Sequence, residues 1–350
     1  MVVPTLEAGD ALADCLHSLE TQTFDRFEVI VVDNSGRHCV NRANRVNPDS
    51  GDARVRVISN DRNVGFGAAI NQGIRASDAP YIATLNDDAV ADPRWLEALV
   101  KAAEARPAVG MCASEVRLAG TRTLDSAGML IAIDGSSKQR GHGELPEKFS
   151  TSLSDGVADA LCPSGSAALY RRAMLDQIGL DQIGLDQIGF FDEGFFLYCE
   201  DTDLGLRARW AGWECAYVPR AMVEHRYSRS AGRASPLKAY FVERNRLYTA
   251  IRNFPWPMLL LVKPASFIRY FWHVVSLMEG RGKASEYRES GHSIAFLLFL
   301  MLRAWVAVTV RLPRLWRERR RIYRTRRITR HEFRKILADY SISLRRVAEL

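Results

Sequence analysis

With 350 residues, 47% of them hydrophobic and 25% charged, the chain is long enough for one large or two modest domains with real cores, which excludes a disordered protein. Its six cysteines are scattered without a CxxC pair or finger spacing, which speaks against a disulfide scaffold or zinc module and for free thiols in a reducing compartment. The net charge of +7 is uneven, because ten arginines crowd the stretch from Arg314 to Arg334, the mark of an anionic partner.

The chain opens on Val2-Val3-Pro4-Thr5-Leu6-Glu7, a short apolar run without the basic leader and long apolar core of a secretory signal, so a cytosolic location is expected. Up to about residue 230 short apolar runs alternate with helical patterns, which predicts an α/β domain with a mostly parallel sheet. Phe27 to Val32, Val55 to Ser59, Tyr81 to Leu85 and Val109 to Ala113 read as buried strands. Leu12, Cys15, Leu16 and Leu19, and again Trp95, Leu96, Leu99 and Ala102, recur at helical spacing. Three strands end in polar clusters, Asp33-Asn34-Ser35-Gly36, Asn60-Asp61-Arg62-Asn63 and Asn86-Asp87-Asp88. Ligands of open parallel sheets bind beyond the carboxyl ends of the strands, so these clusters are expected to share one crevice.

Leu175-Asp176-Gln177-Ile178-Gly179 is then repeated identically as residues 180–184 and 185–189. A five-residue period matches no solenoid, and the copies read as a tandem duplication that adds a surface bulge or an extended helix end. Directly after it, Phe190-Phe191-Asp192-Glu193-Gly194-Phe195-Phe196-Leu197-Tyr198 leads into Cys199-Glu200-Asp201-Thr202-Asp203-Leu204. Leu204, Ala208 and Ala211 share a helical face, which puts Glu200, Asp201 and Asp203 at the helix start, where the dipole favours negative charge.

Four segments in this order, Val29 to Ser35, Asn63 to Gly73, Leu85 to Ala89 and Phe190 to Arg207, resemble family 2 glycosyltransferases over roughly residues 1 to 230. The resemblance implies a GT-A fold, Rossmann-like, with a mostly parallel sheet and flanking helices: a catalytic domain over 1–234, split into a nucleotide-sugar half, 1–90, and an acceptor half, 91–234. It also implies inverting transfer from a nucleoside diphosphate-sugar to a hydroxyl of a glycan or lipid-linked glycan. In that frame Pro4, Thr5 and Glu7, at the end of a first strand that is short here, bind the nucleotide-sugar together with Asp33, which receives the nucleobase, and with Asn63, Gly67, Asn71 and Asp87. The glycines of Asn63 to Gly73 would allow close backbone approach, and the helix start would face a phosphate. A dinucleotide fingerprint fits poorly, because Ile70 stands where its third glycine belongs.

Asp88, with Asp87 and His225, is implied as the ligand set for Mn2+ or Mg2+, hard cations suited to neutralising a diphosphate leaving group. Position 86 is Asn where the family often has Asp, a variant associated with rhamnosyl-type members. His225 ends Val223-Glu224-His225, which follows the apparent strand Cys215 to Val218. Asp201 is implied as the general base that takes the acceptor's proton. Glu200 and Trp210 are assigned to the acceptor side.

Residues 235–350 read as amphipathic, basic helices for membrane association or, alternatively, for a homo-oligomerisation bundle. Ile294 to Val310 approaches bilayer length but contains Arg303, and Trp256 to Met278 contains Lys263, Arg269 and His273. Each such cation costs about 2.5–3.5 kcal/mol at a helix centre, so helices lying in the interface of an anionic membrane, on its cytoplasmic face, are expected. Two other classes fit the sequence less well. A sugar-phosphate nucleotidyltransferase lacks its Gly-rich, Lys/Arg-bearing loop after strand one, and a nucleic-acid-binding module acting through residues 311–335 leaves the four segments unexplained, so no nucleic-acid partner is expected.

Overall fold

The computed structural model describes residues 1–42, 54–150, 157–179, 189–226 and 235–350. In chain order the first part runs β1 (Val2–Thr5), α1 (Asp10–Glu20), β2 (Val29–Asp33), α2 (Cys39–Arg42), β3 (Val55–Ser59), α3 (Phe66–Arg75), β4 (Tyr81–Leu85), β5 (Ala89–Ala91), α4 (Trp95–Ala105), β6 (Val109–Leu118) and β7 (Leu124–Ser126). It continues through β8 (Met129–Ile131), β9 (Ser137–Gln139), α5 (Glu147–Ser150), β10 (Ala158–Asp159), β11 (Ala167–Arg171), α6 (Arg172–Gly179), α7 (Glu200–Trp210) and β12 (Glu214–His225). The remainder is helical: α8 (Pro236–Asn253), α9 (Trp256–Met278), α10 (Gly282–Glu289), α11 (Ile294–Thr325), α12 (Arg330–Asp339) and α13 (Leu344–Glu349).

These elements form two compact units, one of Met1–Gly128, Gln139–Leu197 and Trp213–Tyr227, the other of Met129–Lys138, Tyr198–Gly212 and Ser228–Leu350. A division in chain order between 234 and 235 thus differs in one respect. The β8–β9 segment and α7, with Glu200 and Asp201, group with the C-terminal helices.

The first unit is a sheet in the order β10-β12-β6-β11-β4-β1-β2-β3, with β5 on β12 and β7 on β6. The β4-β1-β2-β3 half is parallel, as expected for runs such as Val29–Asp33 that are buried along their whole length. Short as it is, β1 is an interior strand that pairs with both β2 and β4, and it sets Thr5 beside Asp33. The expected helices α1 and α4 bury Leu12, Cys15 and Leu19, and Trp95, Leu96 and Leu99. Two features depart from the expected strand pattern. The unforeseen β11 is antiparallel to both β4 and β6. Moreover, Cys215–Val218 and Val223–His225 are one strand, β12, with an irregularity between Val218 and Met222. Of the three copies of the five-residue repeat, the first ends α6; the rest lies largely outside the described residues.

In the second unit, α8 starts on a Ser235 cap whose Oγ accepts from the Lys238 N–H at 3.2 Å, and α12 starts on a capping box between Thr329 and Glu332. A buried ion cluster ties α8, α9 and the β8–β9 turn together. Arg269 meets Asp134 at 2.6 Å and Glu243 at 2.7 Å, and Arg246 meets Glu243 and the Asp134 carbonyl. The two guanidiniums hold the Glu243 carboxyl far below the usual carboxylate range, against a burial effect that would raise it. Trp305 of α11 donates its indole N–H to the Tyr270 hydroxyl of α9 at 3.1 Å. By length and composition both α9 and α11 could cross a membrane, and both have broad exposed apolar faces, with Phe267, Phe271 and Val274 on one and Leu298, Leu302 and Val306 on the other.

Candidate functional site

The carboxyl edge of the parallel strands gathers the predicted polar residues. Thr5 Oγ1, at the end of β1, lies 2.6 Å from Asp87 Oδ2 and 2.7 Å from the Glu7 carbonyl, and accepts from the Glu7 N–H at 3.2 Å. Glu7 itself is exposed and Pro4 is half-buried in β1. Burial pushes the Asp87 carboxyl up to about 6, with the Asp88 charge adding to the rise and the Thr5 hydrogen bond opposing it. The first two strand-end clusters are joined directly, since Asn34 Nδ2 donates to Asn63 Oδ1 at 2.9 Å.

Asp88 and His225 meet. β5, which directly follows Asp88, pairs antiparallel with the end of β12, setting His225 opposite Ala89. His225 Nε2 lies 3.1 Å from Asp88 Oδ1 and 3.4 Å from Asn86 Nδ2. Behind the ring, His225 Nδ1 is 2.8 Å from Asp125 Oδ2, and Asp125 Oδ1 is 3.1 Å from His142 Nδ1. Burial alone would depress the imidazole, but the hydrogen bonds to Asp125 and Asp88 outweigh it and raise its pKa to about 10. Asp125 has no local sequence signal. It arrives because β7 pairs with β6, and β6 with β12.

Asp87 does not join that pair, because its Oδ2 is turned toward Thr5. Among the described residues no group of three or more His, Cys, Asp or Glu side chains has metal-holding geometry. Of the expected three-residue set, Asp88 and His225 meet, whereas Asp87 pairs with Thr5. A carboxylate oxygen and an imidazole nitrogen converging at a strand end still suit a divalent cation, whose other positions a diphosphate and water commonly fill.

Several other expected contacts are occupied by the protein itself. Asp33 is fully buried, and its carboxylate accepts from the Val40 N–H at 2.9 Å and the Ser35 N–H at 3.1 Å. Burial would raise its pKa, but these hydrogen bonds outweigh it and lower it. The carboxylate closes the loop after β2 and presents no surface to a nucleobase. Asn63 Oδ1 accepts from the Gly65 N–H at 2.9 Å, an Asx turn. Asn71 is fully buried and clamps Phe191 in both directions, accepting from its N–H at 2.9 Å and donating to its carbonyl at 2.8 Å. The start of α3 is also in contact with the protein itself. The Phe66 N–H donates to the Phe196 carbonyl at 2.8 Å, and Gly65, at φ +92°, is where that backbone approaches, since a Cβ there would sit 2.5 Å from Phe196 O. Gly67 is buried within the helix.

In the second unit the acidic helix start is as expected: Glu200, Asp201 and Asp203 all lie in the first turn of α7. The approach to it is strained. Phe196, Tyr198 and Cys199 have φ of +64°, +69° and +67°, a region non-glycine residues rarely occupy and that clusters at functional sites. Asp201 is half-buried and its Oδ1 accepts from the Thr202 N–H at 2.6 Å. Glu200 is buried, its Oε2 has no hydrogen-bond partner among the described residues, and burial together with the Asp201 charge raises its pKa to about 8. Asp203 is structural, bound to Arg207 at 2.9 Å and to Asn253 at 2.9 Å. Trp210 is not an acceptor contact. It is fully buried, stacks on Phe333 at 3.9 Å between ring centroids and donates its indole N–H to the Asn253 carbonyl, so no face is left for a sugar.

Known proteins bear on this arrangement. A 28% identical relative, N-acetylglucosaminyl-diphospho-decaprenol L-rhamnosyltransferase of Mycobacterium tuberculosis, aligns over 276 residues, 73% of this chain and 85% of that protein. An uncharacterised protein of Sinorhizobium fredii, y4gI, is 27% identical over 66% of this chain, which spans only 25% of its length. Among solved structures, GalNAc-T7 with UDP, GalNAc and Mn2+ superposes with a TM-score of 0.58 at 13% identity, covering 76% of this chain and 50% of that one. The α/β unit has the GT-A fold that the sequence resemblance implied. A family model, glycosyl transferase family 2, matches residues 1–179. Because that match spans the strands bearing Thr5, Asp33, Asp87 and Asp88 and more than half of the chain, this protein belongs to glycosyl transferase family 2.

Proposed function

We propose that the protein is an inverting, metal-assisted glycosyltransferase that moves a sugar from a nucleoside diphosphate-sugar to a hydroxyl of a lipid-linked glycan. The observation that carries this reading is the Asp88–His225 pair, brought together at the carboxyl edge of the sheet by the β5–β12 pairing. Asp88 and His225 would hold a divalent cation, Mn2+ or Mg2+, which would supply positive charge to neutralise the leaving diphosphate. Thr5 and Asp87 orient each other at the strand end beside it. Asp201 is assigned as the base that removes the acceptor's proton, its Oδ1 steadied by the Thr202 N–H. Attack opposite the leaving diphosphate inverts the anomeric carbon. The M. tuberculosis relative, whose name specifies a diphospho-decaprenol acceptor and a rhamnosyl group, supports a lipid-diphosphate acceptor and makes a deoxyhexose donor the first to try.

A lipid acceptor also suits the exposed apolar faces of α9 and α11 and the basic block that follows, in which Arg317, Arg320 and Arg324 are exposed. In-plane attachment is favoured over spanning, because the opposite face of α9 carries Arg269, bound to Asp134 and Glu243. The decisive experiment measures nucleoside diphosphate release from UDP-, dTDP- and GDP-sugars with Mn2+ or Mg2+, on membranes that supply acceptor, for wild type and Asp201→Asn. One donor should give metal-dependent release that the substitution lowers about 10²–10⁴-fold. Release that survives Asp201→Asn overturns the assignment of the base.

A further inference from the structure

The residue with the most specific geometry outside the expected set is Asp125. It is 2% exposed, lies in the three-residue strand β7, and commits each carboxylate oxygen to a different imidazole, Oδ2 to His225 Nδ1 at 2.8 Å and Oδ1 to His142 Nδ1 at 3.1 Å. His142 is partly exposed and occupies the outer oxygen, so the carboxylate is held from both sides. The other nitrogen of His225, Nε2, faces Asp88 and the Asn86 amide.

An imidazole that binds a metal ion gives up the second proton and offers one lone pair, and the group bonded to its remaining N–H decides which nitrogen keeps it. Asp125, an acceptor only when ionised, can be satisfied by His225 only through an Nδ1–H donor.

We infer that Asp125 is the positioning residue of the metal pair, fixing the Nδ1–H tautomer of His225 and aiming the Nε2 lone pair at the side where Asp88 stands. This rests on the reading of Asp88 and His225 as metal ligands. Asp125 is not itself a ligand in this arrangement, because both its oxygens lie behind the ring. Removing such an outer partner characteristically weakens metal binding about 10- to 100-fold.

The test uses the full chain and Mn2+ alone, with binding followed by the electron paramagnetic resonance of the free ion and folding checked by thermal melting. Asp125→Asn, which keeps the shape but removes the charge, is expected to bind Mn2+ about 10- to 100-fold more weakly than wild type. A second measurement needs no variant: the 15N shifts of the His225 ring in Mg2+-loaded wild type should report a protonated Nδ1 and an unprotonated Nε2. If wild type binds Mn2+ and folded Asp125→Asn binds it equally well, the positioning role is overturned while the metal pair stands. Should Asp125→Asn not fold, the ring shifts decide, and an Nε2–H tautomer overturns the role. If wild type binds neither ion, the metal reading fails and takes the role of Asp125 with it.

Discussion

Glu200 and Asp201 are adjacent in sequence and differ in chemistry because only one of them is buried. Glu200 loses hydration, faces the Asp201 charge and holds its proton up to about pH 8, whereas Asp201 is half-buried and tied to the following N–H. The sign of the stability effect follows from proton counting. An unfolded Glu ionises near its ordinary 4.5, so between that value and about 8 the folded state binds more protons, and stability falls as pH rises through this window. The slope contributed by one group is at most about 1.4 kcal/mol per pH unit. Glu200→Gln, close in shape to the protonated acid, is expected to match wild type near pH 5 and to exceed it by pH 8 in melting temperature. Parallel melting curves from pH 5 to 8 for the two proteins would contradict the raised pKa. Glu200 was legible as acidic and helix-starting, but its burial was not, since nothing local distinguishes it from Asp201.

Among the elements, the segment between α6 and α7 depends on contacts made far from it in sequence. Its backbone is held by α3: Asn71 takes both hydrogen-bonding groups of Phe191 and also donates to Glu193 Oε1 at 3.1 Å, and Gly65 admits the Phe196 carbonyl. These residues stand in a motif read as nucleotide-binding, and in the structure they hold the residues that lead into α7. Asn71→Ala leaves the buried Phe191 N–H and carbonyl unpaired, at about 1–3 kcal/mol for each group. Chemical denaturation should show that loss, and an unchanged midpoint would mean the clamp is dispensable. The same logic explains β12. Its halves read as a strand and a separate tripeptide because Pro219 and Arg220 break the apolar pattern, yet pairing with β6 on one side and β5 on the other carries the strand through to His225. Element identity was readable from periodicity, whereas continuity across an irregularity depends on neighbouring strands.

For the molecule as a whole, the exposed apolar faces of α9 and α11 are the feature a soluble enzyme has least use for. Phe271 and Leu302 are 60% and 64% exposed, so replacing both with Asp removes apolar surface without touching the packed faces. In co-sedimentation of the full chain with vesicles rich in phosphatidylglycerol, wild type should bind, high salt should weaken binding, and the double variant should bind at least about tenfold less with an unchanged melting temperature. Binding that ignores both salt and substitution would exclude these faces as the attachment surface.

Periodicity and the resemblance together were enough for the fold class, the family, the strand ends bearing Thr5, Asp33, Asp87 and Asp88, and the acidic start of α7, because all are set by short-range patterns of burial and turn chemistry. What each side chain touches was settled by packing. Asp33, Asn63 and Asn71 turned inward to satisfy backbone groups, Trp210 was covered by Phe333, and Asp125 reached His225 through two strand pairings. A polar atom's partner is chosen by whichever group folding brings within about 3 Å, and for Asn71, Trp210 and Asp125 that group lies in a distant segment of the chain.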